Sequence, residues 1–523
     1  MLKNIGIKRL RSLWDTDLIK IAPLTILVGK NSCGKSTWLR SFPLLSQTLQ
    51  TDTNEPILWY DRNMVDFGSF EESLSKFKNF GDTQDINFTF EVTSTRVIKP
   101  IFPYFLSSQK EYSILISKYI DKSSLTKEII DIFDYSIEVN LKKKIIRVEI
   151  EDIGFEESFG ILGRIGKGFF LPTLLGQKDE KNPSLFHNVM KNKLIEFIRP
   201  NLHKSTSTDT IERSLRGFRL SSINDFDNQL QKQANEAKTQ SLKRFYNNLL
   251  NNKNKKNKFI SLFILSSIDT ILEIETRELR SFYDNLTYIA PVRASAERYY
   301  RIQGLAINKI DPLGINVPLY LYDLKQKRKK DYNNWTEWTR QNFGLEFDIE
   351  ANFGHISLFF VDVDTQGKYN LSDVGFGYSQ ILPILINLWD AQNYDRNQLS
   401  FYNLAYRKRK KTITKTITIE QPELHLHPAM QAKLIKVFFN TIVYAKENNI
   451  DLRIIIETHS ETMINYLGRI VADCGIDGVE ELINILIFNP ETPEKSNISI
   501  SGFNKQGYLK NWPIGFFTPD LDI

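Results

Sequence analysis

The chain has 523 residues, of which 41% are hydrophobic, 25% charged and 12% aromatic, an ordinary globular composition that excludes a small disulfide-stapled module and a predominantly disordered chain. Subtracting 62 acidic from 68 basic side chains leaves +6, too mild to argue nucleic-acid binding from net charge, so any such case must come from local patches. At ~150 residues per domain, the length suits a nucleotide-sized core plus a substantial second region.

The N-terminus, MLKNIGIKRLRSLWDTD, interleaves charge with apolar residues and lacks the continuous apolar region of a signal peptide. The most apolar stretch, Phe259 to Ile268, meets Asp269 well short of the ~20 residues of a spanning helix, so a cytoplasmic protein with no membrane partner is expected. Cys33 and Cys474 make no metal-ligand spacing. IGIKRLRSL and LIKIAPLTILVG read as strands, and TILVG is a short apolar run ending in glycine, as a buried strand should. KNSCGKSTWLRSFPLLSQTLQ then reads as a glycine-rich turn opening a helix, with Pro43 predicting a kink or an early end.

From about 85 to 150, INFTFEV, YSIEVNL and KIIRVEIE alternate apolar and polar residues, the pattern of β-structure with one solvated face. From about 185 to 285, helix formers recur at three-to-four spacing, predicting a helical arm or lobe, with NNKNKKNK as a solvated, mobile turn between two helices. A nucleic-acid contact is the alternative for that basic turn. After Leu286, the runs TYIAPVR, ISLFFVDV, TITIEQPE and LRIIIETHS predict strands alternating with helices, hence a largely parallel sheet. The organisation expected is an α/β core split into residues 1–100 and 286–523, with 101–285 as an insertion of β-elements followed by helices.

Gly29-Lys30-Asn31-Ser32-Cys33-Gly34-Lys35-Ser36 satisfies the phosphate-loop spacing, follows a strand and opens a helix. Backbone N–H groups from Asn31 to Thr37 would curl around the phosphates of ATP, and Lys35 would reach the β- and γ-phosphates. Ser36 would place its hydroxyl on Mg²⁺, and Thr37 would donate on the α-phosphate side. A glycine turn that merely caps a helix does not require the Gly-Lys-Ser triplet. The strand TITIE delivers Glu420 at its carboxyl end, followed by Gln421, Pro422 and Glu423, and Glu420 is the candidate acid for the Mg²⁺ shell. IIIETHSE repeats the logic with Glu457, Thr458, His459 and Ser460, where His459 can bond the γ-phosphate or position water. His425 and His427, two apart in a proline-terminated loop, are not read as metal ligands. LSDVGFGYSQ runs into the apolar helix ILPILINLW as an anion site or a capped core helix.

The set GKNSCGKST, LSDVGFGYSQ, EQPELHLHP and ETHSE, in that order, resembles the ABC-type ATPase heads of the SMC/RecF/OLD group. It is most similar to the AAA_15/AAA_21 and DUF3696 type ATPases of bacterial anti-phage systems such as Septu, PARIS and retron-associated modules. The resemblance covers roughly residues 1–80 and 286–523. It implies an ABC-type P-loop ATPase head with a mixed β-sheet, an N-terminal antiparallel β-subdomain and a largely helical insertion. It implies a homodimer or higher homo-oligomer holding two ATP between one subunit's phosphate loop and the other's signature segment, with Gly375, Gly377, Ser379 and Gln380 against the partner's γ-phosphate. His459 would be the switch histidine, and the stretch Val65 to Phe70 the neighbourhood of the family's glutamine loop.

One departure matters: Gln421 stands where such heads carry a general-base glutamate, so the catalytic group is expected among Glu420, Gln421, Glu423 and His459, with slow hydrolysis. The 64 residues after His459 are too few for an OLD-type nuclease domain, which predicts a separate effector, a nuclease or toxin. DNA or RNA remains a further expected partner through the clusters LKKKIIR (141–147), KQKRKK (325–330) and YRKRKK (406–411), for which solvated surface is the bland reading.

Overall fold

A computed structural model describes the chain except residues 78–83, 100–106, 165–169, 172, 177–183, 305–306, 308, 363–364, 366, 398–412, 493–494 and 514–523. The apolar run Leu24–Gly29 is a fully buried strand at the centre of a seven-stranded sheet. The spatial order is Leu286–Ile289, Ile413–Glu420, Ile450–Glu457, Leu24–Gly29, Ile483–Thr492, Lys495–Phe503 and Leu509–Lys510. The first five strands are parallel and the last two antiparallel, so the sheet is mixed. Alternate residues serve opposite faces, as a period of two requires. Leu27, Ile455 and Leu486 join the core on one side, and Ile26, Ile454 and Ile485 the core on the other.

The first of these cores lies under a nine-stranded antiparallel sheet that starts with Leu2–Leu10 and ends with Ile153–Ser158. Its strands show the expected alternation; Tyr135–Asn140, for example, is buried at every second residue. Ile86–Arg96 and Ser107–Ile120 pair from Ile86 opposite Ile120 to Arg96 opposite Ser107, so the line expected at residue 100 passes between neighbours of one sheet. Six helices between Phe186 and Tyr283 share one apolar cluster with this sheet, a cluster that reaches Trp38 and Phe42, and Lys253–Ser266 and Ile268–Tyr283 lie directly against its strands. Sharing that core, they take the second of the two expected forms, a lobe packed on the body and not a projecting arm.

The break expected at NNKNKKNK shrinks to one residue. Gln240–Asn251 and Lys253–Ser266 are both helices, and the Asn252 side chain between them caps the second by accepting from the Lys255 N–H at 3.0 Å. Lys253 and Lys256 are paired with Glu151 (2.9 Å) and Asp227 (2.8 Å). Helix Lys35–Gln50 likewise continues through Pro43, which is buried within it, so the predicted early end does not occur. ISLFFVDV does not join the central sheet. His355–Val361 instead forms a small antiparallel sheet with Glu346–Asn352, Tyr300–Arg301 and Lys368–Asn370, immediately before the helix Phe376–Asn397.

Candidate nucleotide site at the carboxyl edge of the central sheet

The phosphate loop joins a buried strand to a helix through backbone conformations that only particular residues adopt. Gly34 has φ +88°, and a β-carbon there would stand 2.7 Å from the Ser12 hydroxyl and 2.9 Å from a Leu13 methyl. The Lys35 ammonium, 3% exposed, folds back on the loop and donates to the carbonyls of Gly29 (3.1 Å) and Lys30 (2.6 Å). Cys33 is buried, its thiol pushed up by desolvation and donating to the Lys30 carbonyl. The loop walls a cleft of ≈ 340 Å³ to which Arg11, Asn31, Ser36, Thr37, Gln421, Glu457 and His459 also contribute. Helix N–H groups, an ammonium and hydroxyls around such a cleft are the donor set that a polyphosphate takes.

Two acids end neighbouring strands in register, Glu420 opposite Glu457. Glu420 is clamped by Arg40, whose Nε donates to Oε1 at 2.7 Å and Nη2 to Oε2 at 2.8 Å, while the Tyr288 hydroxyl donates to Oε1 at 2.7 Å. The hydrogen bonds to Glu420 hold the Arg40 guanidinium even more firmly in its charged form. Glu457 instead accepts from the Ser36 hydroxyl at 2.9 Å and lines the cleft, whereas Glu420 does not. Burial pushes the Glu457 carboxyl up, opposed by that hydroxyl. Glu423 is also pushed up by burial; its Oε1 accepts from the His459 backbone N–H at 2.7 Å. The His459 imidazole at the cleft mouth is held down, first by desolvation and then by the Lys35 charge, so it is neutral at pH 7. Gln421 turns in a left-handed conformation, φ +42°, and its N–H donates to the Glu457 carbonyl at 2.8 Å.

Asn31 to Thr37, Gln421 and His459 therefore meet at one cleft. The signature segment is organised differently from expectation. Ser379 (8% exposed) donates to the Phe376 carbonyl at 2.7 Å. Gln380 (1%) exchanges hydrogen bonds with the Arg293 backbone, 3.0 Å each way. Neither side chain faces outward, because both stabilise the first turn of an apolar helix; the outward-facing part is Ser372 to Phe376. Gly375 is exposed, and Gly377 packs so closely on the EQPELHLHP turn that a β-carbon would stand 2.7 Å from the His425 carbonyl. His425 stacks edge-on to Phe376, and the His427 ring caps the helix Pro428–Glu447. In the Val65 to Phe70 stretch, Phe67 lies under the Arg11 guanidinium at 4.4 Å.

Sequence reasoning missed Arg40, Arg293 and the placement of Glu457. Arg293, 2% exposed, donates to the Glu420 carbonyl at 2.7 Å, and burial lowers its pKa to about 10. Through Gln380 it ties the signature helix to the strand end. The only signal in the sequence was a lone arginine after TYIAPV. Among the described residues, no cluster of three or more histidine, cysteine or acidic side chains gathers to hold a metal, and no helix is long and apolar enough to cross a membrane. In the cluster 325–330, Lys325 pairs with Asp348, Lys327 with Asp323 and Arg328 with Asp331. In 141–147, Lys142 pairs with Asp121 and Arg147 with Glu149; the cluster 406–411 lies outside the described residues.

The profile of the AAA_15 family, described as an AAA ATPase domain, matches residues 1–464. No curated protein matches the chain. Among solved structures, the chain is similar to an Smc head domain with an extended coiled coil bound to the C-terminal domain of ScpA, from Pyrococcus furiosus (8% identity, 95% of this chain and 96% of that one, TM-score 0.36). It is also similar to the SMC head domain from Thermotoga maritima (7% identity, 95% and 98%, TM-score 0.33). With a phosphate loop at the centre of a mixed sheet and two acid-bearing strand ends beside it, the chain belongs to the AAA_15 family of AAA ATPase domains and is an ATP-binding ATPase.

Proposed function

We propose that the chain binds ATP with Mg²⁺, hydrolyses it slowly, and closes on nucleotide as a homodimer or higher homo-oligomer that controls a separate nuclease or toxin in anti-phage defence. The observation that carries the slow step is Gln421, which lines the cleft beside the phosphate loop at the strand end where such heads place a glutamate. An amide orients water but cannot accept its proton. Glu423 and the His459 backbone are joined through one hydrogen bond, and the His459 imidazole lines the cleft as a proton acceptor. Lys35 and the loop N–H groups would bind phosphate, and Ser36 with a strand-end acid would hold Mg²⁺, which when bound would offset phosphate charge.

The outward-facing Ser372 to Phe376, ahead of a helix N-terminus, supports closure on a second copy's nucleotide. The defence setting rests on the resemblance of the motif set. Acidic partners on the two described basic clusters favour solvated surface over a phosphate-binding groove. Purification of the chain with its genomic neighbours, with and without ATP, tests the reading: an effector retained only with ATP supports it. ATP-dependent DNA binding with a steep salt slope, without any protein partner, would replace it with a DNA-repair role.

A further inference from the structure

Two carboxylates sit side by side at the edge of the central sheet, and their surroundings give them different work. We infer that Glu457, not Glu420, is the acid that holds the Mg²⁺ hydration shell beside Ser36, and that Glu420 with Arg40 and Tyr288 is a positioning brace between the phosphate-loop helix and the sheet. The inference rests on the ATP-binding reading above.

Three of the four acceptor positions of the Glu420 carboxylate are already taken. Its two oxygens receive two guanidinium N–H bonds and one phenol O–H bond, all between 2.7 and 2.8 Å. The one position left, on Oε2, lies beside the Arg40 Nη2 donor, where the guanidinium charge repels an approaching cation, and freeing more of the carboxylate means breaking a bidentate, charge-assisted pair. Glu457 presents the opposite situation. It is 2% exposed and lines the cleft, its Oε1 is fixed by the Ser36 hydroxyl at 2.9 Å, and its Oε2 is buried with no partner. A buried acceptor left unpaired is costly, and a water held by a cation would satisfy it. Mg²⁺ retains most of its waters and takes one or two carboxylates plus the substrate's phosphates, so one acid beside a phosphate-loop serine suffices, which fits the lack of any larger acidic cluster among the described residues.

The two acids also differ in what anchors them. Glu420 couples helix Lys35–Gln50 to strand Ile413–Glu420 through Arg40, and to strand Leu286–Ile289 through Tyr288. Loss of that brace uncouples three elements at the site; loss of the Glu457 carboxylate removes one bond to Ser36 and whatever the cleft holds there.

The test uses the full chain as wild type, Glu457→Gln, Glu457→Asp and Glu420→Gln. ATP affinity is measured in EDTA, and Mn²⁺ affinity of the ATP-loaded protein by electron paramagnetic resonance. The inference expects Glu457→Gln to bind ATP in EDTA like wild type and to lose about 10–100-fold in Mn²⁺ affinity, with Glu457→Asp recovering part of it. Glu420→Gln should keep wild-type Mn²⁺ affinity while melting at lower temperature. Wild-type Mn²⁺ affinity in Glu457→Gln overturns the inference, and this arm decides it even if Glu420→Gln fails to fold. A wild-type chain that binds no ATP in either buffer overturns the ATP reading itself, and the inference with it.

Discussion

Arg40→Met removes the guanidinium from a carboxylate that is only 3% exposed. Breaking a buried ion pair from one side costs ~3–5 kcal/mol because the remaining charge is uncompensated. Two features place this case near the lower end. Arg40 itself is 32% exposed, and the Tyr288 hydroxyl still donates to Glu420 at 2.7 Å. About 3 kcal/mol is therefore expected for Arg40→Met, and ~1–2 kcal/mol for Glu420→Gln, which leaves a partly solvated cation. In the double variant no buried charge remains, so its cost should fall short of the sum of the singles by about 2 kcal/mol. A 523-residue chain with two cores need not unfold in one step, so local opening is the proper readout. Hydrogen exchange of peptides from Lys35–Gln50 and Ile413–Glu420 supplies it. Additivity of the two substitutions within ~0.5 kcal/mol would refute the brace.

Gly34→Ala forces a β-carbon into the Ser12 hydroxyl at 2.7 Å from a φ of +88°, and should cost about 1–3 kcal/mol and abolish ATP binding. Gly304→Ala, with open space around the new carbon, should change stability by less than about 0.5 kcal/mol; equal ATP affinities for the two variants would contradict the loop geometry. Gly375→Arg, on an exposed turn with nothing within 4 Å, should leave ATP binding intact and remove ATP-dependent dimerisation in sedimentation experiments. In the core, Lys118 is buried between Glu128 (3.0 Å) and Glu275 (2.5 Å). Burial, and then the Glu128 charge, push the Glu275 carboxyl well above its ordinary 4.5, with Lys118 opposing. The folded chain then holds a proton that the unfolded chain releases. Stability that is complete at low pH is lost as pH rises from the ordinary value toward the folded one, at up to ~1.4 kcal/mol per pH unit. Glu275→Gln keeps a neutral side chain and should flatten the fall in stability above about pH 5, read as hydrogen exchange of peptides from Ser107–Ile120 and Ile268–Tyr283 corrected for its intrinsic pH dependence; an unchanged slope would assign it elsewhere.

Local chemistry made the nucleotide site readable before any coordinates. A buried strand, a glycine turn and a Lys-Ser pair have few other uses, and the strands ending in Glu420 and Glu457 follow from apolar runs bounded by polar residues. Tertiary contacts hid the rest. Nothing in TITIEQPE says that Arg40, 380 positions earlier, meets Glu420 and draws it away from the cleft. The motif resemblance puts Ser379 and Gln380 among the ligands, yet the helix they open is apolar enough to bury them. NNKNKKNK looked like a break because its polarity is high, but polar residues are ordinary in the first turns of a helix once Asn252 caps it and Asp227 pairs with Lys256. The local penalty of Pro43 predicts an end to its helix, and the buried packing of Trp38, Phe42 and Leu45 outweighs that penalty.

The proposed function turns on Gln421, which cannot take a proton from the attacking water, so that ATP would be held longer than it is cleaved. Single-turnover and steady-state hydrolysis by the isolated full chain, as wild type, Gln421→Glu and Lys35→Ala, test it most directly. Slow turnover with bound ATP persisting is expected in wild type, faster cleavage in Gln421→Glu, and no ATP retained by Lys35→Ala. Sub-second steady-state turnover by the wild-type protein, unaltered in Gln421→Glu, would contradict it.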